Sequence, residues 1–474
     1  MSKFKHFFVA FALFCLSTMA ANSQTTGHGT ILGTSINWTL SKNDVLIISG
    51  NGQMPDWVST EVRPWQKHVA NIKTIAIDAG ITHIGNYAFF NHNNVTSVSI
   101  GNNVTVIGEY AFAGCIGLDS VVIPGNVIKI GYRAFTGSGL TGIVIPNNVK
   151  TLGIGVFEGC KQMTSAHIGS GITRIPDGLF QNSGLTEITI PEHIVNLGFY
   201  TFRNSDRLAT VFINAVNLEG YTYMVQNLPF YDCAALTTVV FGDKVEQIPE
   251  HLFTSHPSIK SLKISSNVSK INRYAFFGCS GLTQIVIPDG VHTISASAFA
   301  ECTGVTSIEL GSDLSEIAAS AFTKSRIKSI IIPKGITNIG GSAFRGSSRL
   351  ETIYFDARNC TDFISTNYHF ADCPMLESVV FGDNVRRIPE HVLSGLSSLE
   401  LVTIGSRVTT IGDNAFENCS GLVEIINQAA KPQTINANVF ARVDKTACTL
   451  KVSAESKNAY RAALVWKDFL IVTQ

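Results

Sequence analysis

Charge is what this sequence has least of: 15% of its 474 residues are Asp, Glu, Lys or Arg, against about 25% in an ordinary soluble protein. The signs balance at 35 against 35, and loss of Lys3 and Lys5 with a leader peptide leaves a small net negative charge. With no basic surplus to displace counterions from phosphates, nucleic acid is excluded as a partner class. No run of about 18 consecutive apolar residues occurs, so no membrane-spanning helix is expected. Metal-ligand spacings such as CxxC and HExxH are missing, and so are a Gly-rich phosphate loop and a nucleophile elbow. The sequence therefore offers no catalytic residue, cofactor site or metal site, and it reads as that of a non-enzymatic protein. What it does have is 45% apolar residues and 40 glycines, the mark of a large core with many turns and not of disorder.

Residues 1–23 read as a secretory signal peptide. Lys3 and Lys5 precede an apolar run from Phe7 to Leu16, and small residues follow at Ser17, Ala20 and Ala21, the order expected of an export signal. The mature protein is thus expected outside the cytoplasm, at the cell surface, in the periplasm or secreted.

The dominant feature is a repeat, which must be sought before anything else. Phe returns at 89, 112, 135, 157, 180, 202, 230, 253, 276, 299, 322, 344, 370, 416 and 440, with Leu393 in the one gap. Most intervals are 22 or 23 residues and the last is 24; two are much longer, 28 before Phe230 and 26 before Phe370. One copy runs Leu118 to Gly137 and gives the pattern LxxVxIP, xxVxxIG, xxAFxGC. Alternation in LxxVxI marks a short strand with one face inward. A single strand of this kind cannot bury its apolar side, so neighbours must stack in parallel, about 4.8 Å apart. Pro and Gly end the segments, while the Phe rings should stack into a column along the axis. These features predict a strand-rich α/β solenoid. The expected domains are an N-terminal β cap over 24–70, the solenoid over 71–427, and a last repeat with a C-terminal cap over 428–474.

Seven of the ten cysteines, Cys115, Cys160, Cys233, Cys279, Cys302, Cys373 and Cys419, fall three residues after the repeat aromatic, a slot that Ser fills at 138, 183, 205, 325 and 347. Serine can neither bridge nor bind zinc, so the slot calls for a small, weakly hydrogen-bonding side chain and predicts free, buried thiols. Cys279 and Cys302, in consecutive units, are the one pair near enough for a disulfide. A longer period overlies the short one. Val239–Asp243 with Ile248-Pro249-Glu250-His251 returns 140 residues later as Val379–Asp383 with Ile388-Pro389-Glu390-His391, so a block of six units was duplicated and Pro-Glu-His needs no chemical explanation.

The three motifs resemble those of the BspA-like leucine-rich repeat family of bacterial surface proteins. The Trp38 to Pro64-Trp65 head and the Cys448 to Phe469 tail are also similar to that family's ends. The resemblance implies a right-handed leucine-rich repeat superhelix with its parallel sheet on the concave face. It also implies an adhesin-like role in binding proteins, including host extracellular-matrix proteins.

A partner is expected on the strand face. The position after the central Val holds Phe212, Val240, Val286, Ile331, Tyr354 and Val380, unusually apolar for an outward column, although β-propensity alone accounts for some of it. The two long intervals bring extra rings, Tyr221 and Tyr223 in the first and Phe363 and Tyr368 in the second. Insertions in repeat proteins gather on binding faces and aromatic residues anchor interfaces, so these loops are expected to present contact sites. The alternative occupant is a surface glycan stacked on the same rings; the other reading of the loop rings is that they cover the core. His167, Lys263 and Glu309 lie in the same column but too many units apart for acid–base chemistry. Asn94-Val95-Thr96 and Asn103-Val104-Thr105 match the glycosylation sequon at repeat positions.

Overall fold

The computed structural model describes residues 25–222, 225–363 and 369–474; the proposed signal peptide and Tyr223 and Tyr368 lie outside them. The chain falls into two compact units, one of residues up to Ala209 with Pro229–Ala235, the other of Thr210–Leu228 with Leu236–Gln474. Each is a run of parallel β-solenoid turns, about 17 in all, with very little helix.

In the first unit the strands Thr25–Thr30, Ile36–Ser41 and Val45–Gly50 pair antiparallel. Val45–Gly50 then pairs in parallel with Thr74–Ile77, the first LxxVxI strand, and the ladder continues through Ser97–Ile100 to Ser120–Val121. In the second unit the longest ladder runs Ser329–Ile332, Thr352–Phe355, Ser378–Phe381, Leu401–Ile404, Glu424–Asn427, Thr449–Val452, Leu470–Thr473, all parallel. The VxxIG segments form a second, shorter ladder: Lys129–Ile130 lies between Val106–Ile107 and Thr151–Leu152, and Lys270–Ile271 pairs with Thr293–Ile294.

The third side, carrying xxAFxGC, is made of turns and not helix. Its backbone bonds from turn to turn: the N–H of most of these Phe residues donates to the carbonyl before the next column residue, as from Phe112 to Ala134 at 2.8 Å and from Phe276 to Ala298 at 2.9 Å. Two left-handed residues bracket most of these Phe residues and turn the corner. Two positions after it stand Gly114 and Gly278, both at φ 73, where glycine adopts positive φ without a Cβ penalty. Two positions before it, Tyr110 (φ 51) and Tyr274 (φ 54) adopt the same conformation despite their side chains.

Inside, the rings stack as the period requires. In the first unit Phe89, Phe112, Phe135, Phe157, Phe180, Phe202 and Phe230 follow one another at 5.1 to 5.7 Å between centroids. In the second, Phe253 through Phe370 do so at 5.2 to 5.9 Å. Aromatic rings favour such offset stacks at 4.5–7 Å. The apolar ends are closed by Trp65, stacked on Phe89, and by Trp466 and Phe469, set edge-on to Phe440. Tyr460, in the six-residue helix Lys457–Ala462, supports Trp466 while its hydroxyl donates to Ala429 O at 3.0 Å.

Beside the rings runs a polar ladder. All nine cysteines among the described residues are free and buried, Cys279 and Cys302 included; each of these two donates to a Phe carbonyl one turn back, Phe253 and Phe276, at 3.2 Å. Ser205 makes the same bond to Phe180 O. Burial pushes the Cys302 thiol up to about 12, which removes it as a nucleophile. Two turns place histidine in this slot, His92 and His256, each fully buried with its pKa brought down to about 4 by desolvation.

Phe276→Ala should cost about 3–5 kcal/mol, as for other buried Phe side chains, and Phe440→Ala less, because it lies at the end of the array; denaturant unfolding of both variants checks this. Acid should destabilise the protein through His256. Between pH 6.5 and 4 the unfolded chain takes up a proton that the buried imidazole refuses, so stability present above pH 6.5 is lost on acidification, by roughly 3 kcal/mol for this residue. His256→Ser should flatten that slope, which melting curves from pH 7 to 4 measure.

Candidate binding face

Within each ladder, strand pairing holds the outward column of the strand face in register. In the second unit Phe212 lies opposite Val240 and Val240 opposite Lys263. Farther on, Ile331 lies opposite Tyr354, Tyr354 opposite Val380, Val380 opposite Thr403, and Thr403 opposite Ile426. Ile331 is 63% exposed, Tyr354 46% and Val286 46%; Phe212, Val240 and Val380 are half-buried. Hydroxyls line the column on one side, from Ser329 through Thr352 to Ser378. In the first unit the same column exposes Val122 and Val144 even more fully, at 70% and 61%. Both belong with the candidate residues, and their place in the repeat is the signal that identifies them.

The insert rings behave differently from the expectation. Tyr221 and Phe363 are 7% and 4% exposed, so neither can present a face to a partner. Lengthening one side of a turn uncovers the core beneath it, and the ring folds back to close the opening. The two inserts are held alike. Tyr221 N–H donates to Glu250 O at 3.1 Å and Phe363 N–H to Glu390 O at 3.0 Å, so the Pro-Glu-His corner of the next turn receives the insert in both copies of the duplicated block. In the second copy Asp362 pairs with Arg387 and accepts from the Glu390 N–H; the Arg387 guanidinium holds its carboxyl below the usual carboxylate range. Phe363 stacks on His369 at 4.0 Å, and burial brings that imidazole down to about 4.

His167, Lys263 and Glu309 are all exposed on separate strands, and Glu309 accepts from Gln284 Nε2 at 3.0 Å, as surface side chains do. Glu250 lies 3.8 Å from the His251 ring, but that imidazole is buried, stacked on Tyr274 at 4.7 Å, and bonded through Nδ1 to Thr254. The sequon asparagines are also structural: Asn94 and Asn103 donate their side-chain amides to the carbonyls of Ala70 and Ala79, at 2.9 and 2.7 Å. Among the described residues no group of three His, Cys, Asp or Glu could hold a metal ion, and no helix is long and apolar enough to cross a membrane.

Comparison with known proteins agrees with this architecture. No curated protein sequence matches the chain. Solved structures similar to it include a leucine-rich repeat protein from Eubacterium ventriosum, 22% identical, covering 91% of this chain and 94% of that one with a TM-score of 0.30. A leucine-rich cell surface protein from Faecalibacterium prausnitzii is 21% identical over 92% and 98%, with a TM-score of 0.31. The pneumococcal vaccine antigen PcpA is 15% identical over 94% and 98%, with a TM-score of 0.29. The family model described as the BspA type leucine-rich repeat region matches residues 82–209, 129–259, 224–351 and 364–459. With well over half its length so matched, and with the repeat seen turn by turn in the structure, the chain belongs to the BspA-type leucine-rich repeat family.

Proposed function

We propose that this is an exported, non-enzymatic recognition protein that holds another protein against its strand face, in the manner of an adhesin. The observation that carries the reading is the exposed apolar row in register, above all Ile331, Tyr354 and Val380 on three consecutive strands. Exposed large apolar side chains scattered singly need no explanation, whereas a contiguous row rimmed by hydroxyls is the composition of an interface core with a polar edge. Membership of a family with surface-exposed relatives supports export, and the charge balance leaves protein as the favoured partner, extracellular-matrix proteins included. The glycan reading loses ground because two of the rings it relied on, Tyr221 and Phe363, are buried; Tyr354 and the half-buried Phe212 remain as isolated stacking surfaces.

Ile331→Ser with Tyr354→Ser should weaken binding to a matrix-protein partner at least tenfold, as for two central interface residues. The melting temperature should stay within about 2 °C, because both side chains face solvent. Binding titrations against a panel of matrix proteins, run beside a glycan array, measure the first part; saturation by a polysaccharide alone would reverse the ranking. Phe363→Ser should do the opposite, costing about 3 kcal/mol as a core truncation does, with affinity per folded molecule unchanged. Fractionation into periplasm, outer surface and medium tests the location.

A further inference from the structure

Just before each LxxVxI strand, one residue per turn forms a rim of the strand face. Threonine is the commonest residue there, and it ties the turns together. The hydroxyls of Thr96, Thr141, Thr164, Thr186 and Thr306 each donate to the carbonyl one turn back, at 3.1 to 3.3 Å. On three consecutive turns of the second unit glutamate takes this place. Glu377 N–H donates to Glu351 O at 3.1 Å and Glu400 N–H to Glu377 O at 2.9 Å, so the three side chains leave successive rungs, about 4.8 Å apart.

This acidic rail is locally unfavourable. A carboxylate has no proton to give the carbonyl one turn back, and like charges on adjacent strands repel. Lys328 lies 3.7 Å from Glu351, but among the described residues no ion pair engages Glu377 or Glu400, both of them exposed. Residues 364–368 contain no Lys or Arg. Elsewhere on the same face acid is neutralised, since Lys451 meets Glu424 at 2.7 Å. Nor is the rail shared with the first copy of the duplicated block, whose equivalent positions hold Ala209, Thr237 and Lys260. It accompanies the exposed apolar row instead: Tyr354 and Val380 follow Glu351 and Glu377 by three residues each, at most about 10 Å along the strand.

We infer that the occupant of this stretch of the face is a basic amphipathic helix of a partner protein. It lies along the row with its apolar side on Ile331, Tyr354 and Val380, and one flank of Lys or Arg on Glu351, Glu377 and Glu400. The inference rests on the strand-face reading and adds to it the chemistry of the partner. Helical spacing fits the rail: side chains three and four residues apart rise about 4.5 and 6 Å along a helix, on either side of the rung repeat. Alternate residues of an extended segment are about 6.6 Å apart and fall out of step. Cations on the partner offset the repulsion within the rail and steer the encounter, whereas an acidic partner is repelled.

The probe is a peptide of about 18 residues, five helical turns, with a Leu stripe at i, i+3, i+4 and i+7 and Lys along one edge of it. Its counterpart carries Glu in place of Lys. The full chain should bind the Lys peptide, at least tenfold more weakly in about 0.5 M than in about 0.05 M salt, and should not bind the Glu peptide. Glu377→Gln with Glu400→Gln should weaken binding of the Lys peptide at least tenfold at low salt. The same pair should leave the melting temperature unchanged or raise it by about 1–2 °C, because repulsion is relieved. Ile331→Ser with Tyr354→Ser should weaken binding at either salt concentration. No binding of the Lys peptide, equal binding of both peptides, or binding untouched by the glutamine pair but lost with the serine pair overturns the basic helix and leaves the strand-face reading standing. Loss with the glutamine pair but not with the serine pair overturns the strand-face reading and the inference with it.

Discussion

The phenylalanine at the centre of each turn can be buried only by the turns on either side of it, and this dependence organises the molecule. Strand spacing sets the rise at about 4.8 Å, and the rings, stacked slightly offset, sit 5.1 to 5.9 Å apart within each unit. Backbone ladders on three sides hold that spacing, so no turn can slip without breaking bonds on every side. The same dependence explains both ends. Trp65 and Trp466 are fully buried because a terminal ring without a lid would lose half its contacts, and a repeat array needs such capping for that reason. The buried Cys and Ser slot follows as well: it lies against the ring, where a small group can bond the carbonyl one turn back, as Cys279, Cys302 and Ser205 do.

Much of this was legible in the amino-acid sequence because a repeat multiplies weak signals. A single LxxVxI segment is an ambiguous strand, but sixteen at one spacing fix the strands, the ring column and the buried cysteine slot; only the structure shows that Cys279 and Cys302, the one pair near enough to bridge, are both free. What could not be read was local backbone geometry. Nothing about Tyr110 or Tyr274 announces a positive φ; the corner imposes it, and the neighbouring turns offset its cost. Nor could the insert aromatics be placed, because a ring that covers core and a ring that waits for a partner have the same composition. Tyr221 and Phe363 became core because widening a turn exposes the stack beneath it, an effect that depends on the third dimension alone.

The duplicated block shows how repeat architecture separates inheritance from adaptation. In both copies the main-chain carbonyl of the Pro-Glu-His glutamate, Glu250 or Glu390, anchors an insert through the same backbone bond, so the corner has a structural role in each. The copies diverge in detail: the second insert is two residues shorter and adds the Asp362–Arg387 pair. The second copy also carries leucine where the first carries Phe253. A solenoid tolerates such a change at one turn because each turn contacts only its neighbours, so a lesion in the column stays local.

The apolar row on the strand face resists the simplest explanation. β-Propensity favours Val, Ile and Tyr on any pleated surface, and on that basis alone they would fall evenly along the column. In the second unit they do not. Ile331, Tyr354 and Val380 are contiguous, whereas the column turns charged at Lys263 and at Glu309, one turn before Ile331, and polar again at Thr403. A surface selected only against aggregation would spread such charges to interrupt the row. Charge placed beside the row, leaving three adjacent strands apolar and rimmed with hydroxyls, is what a surface needs when it must stay soluble alone and still bury itself against a partner.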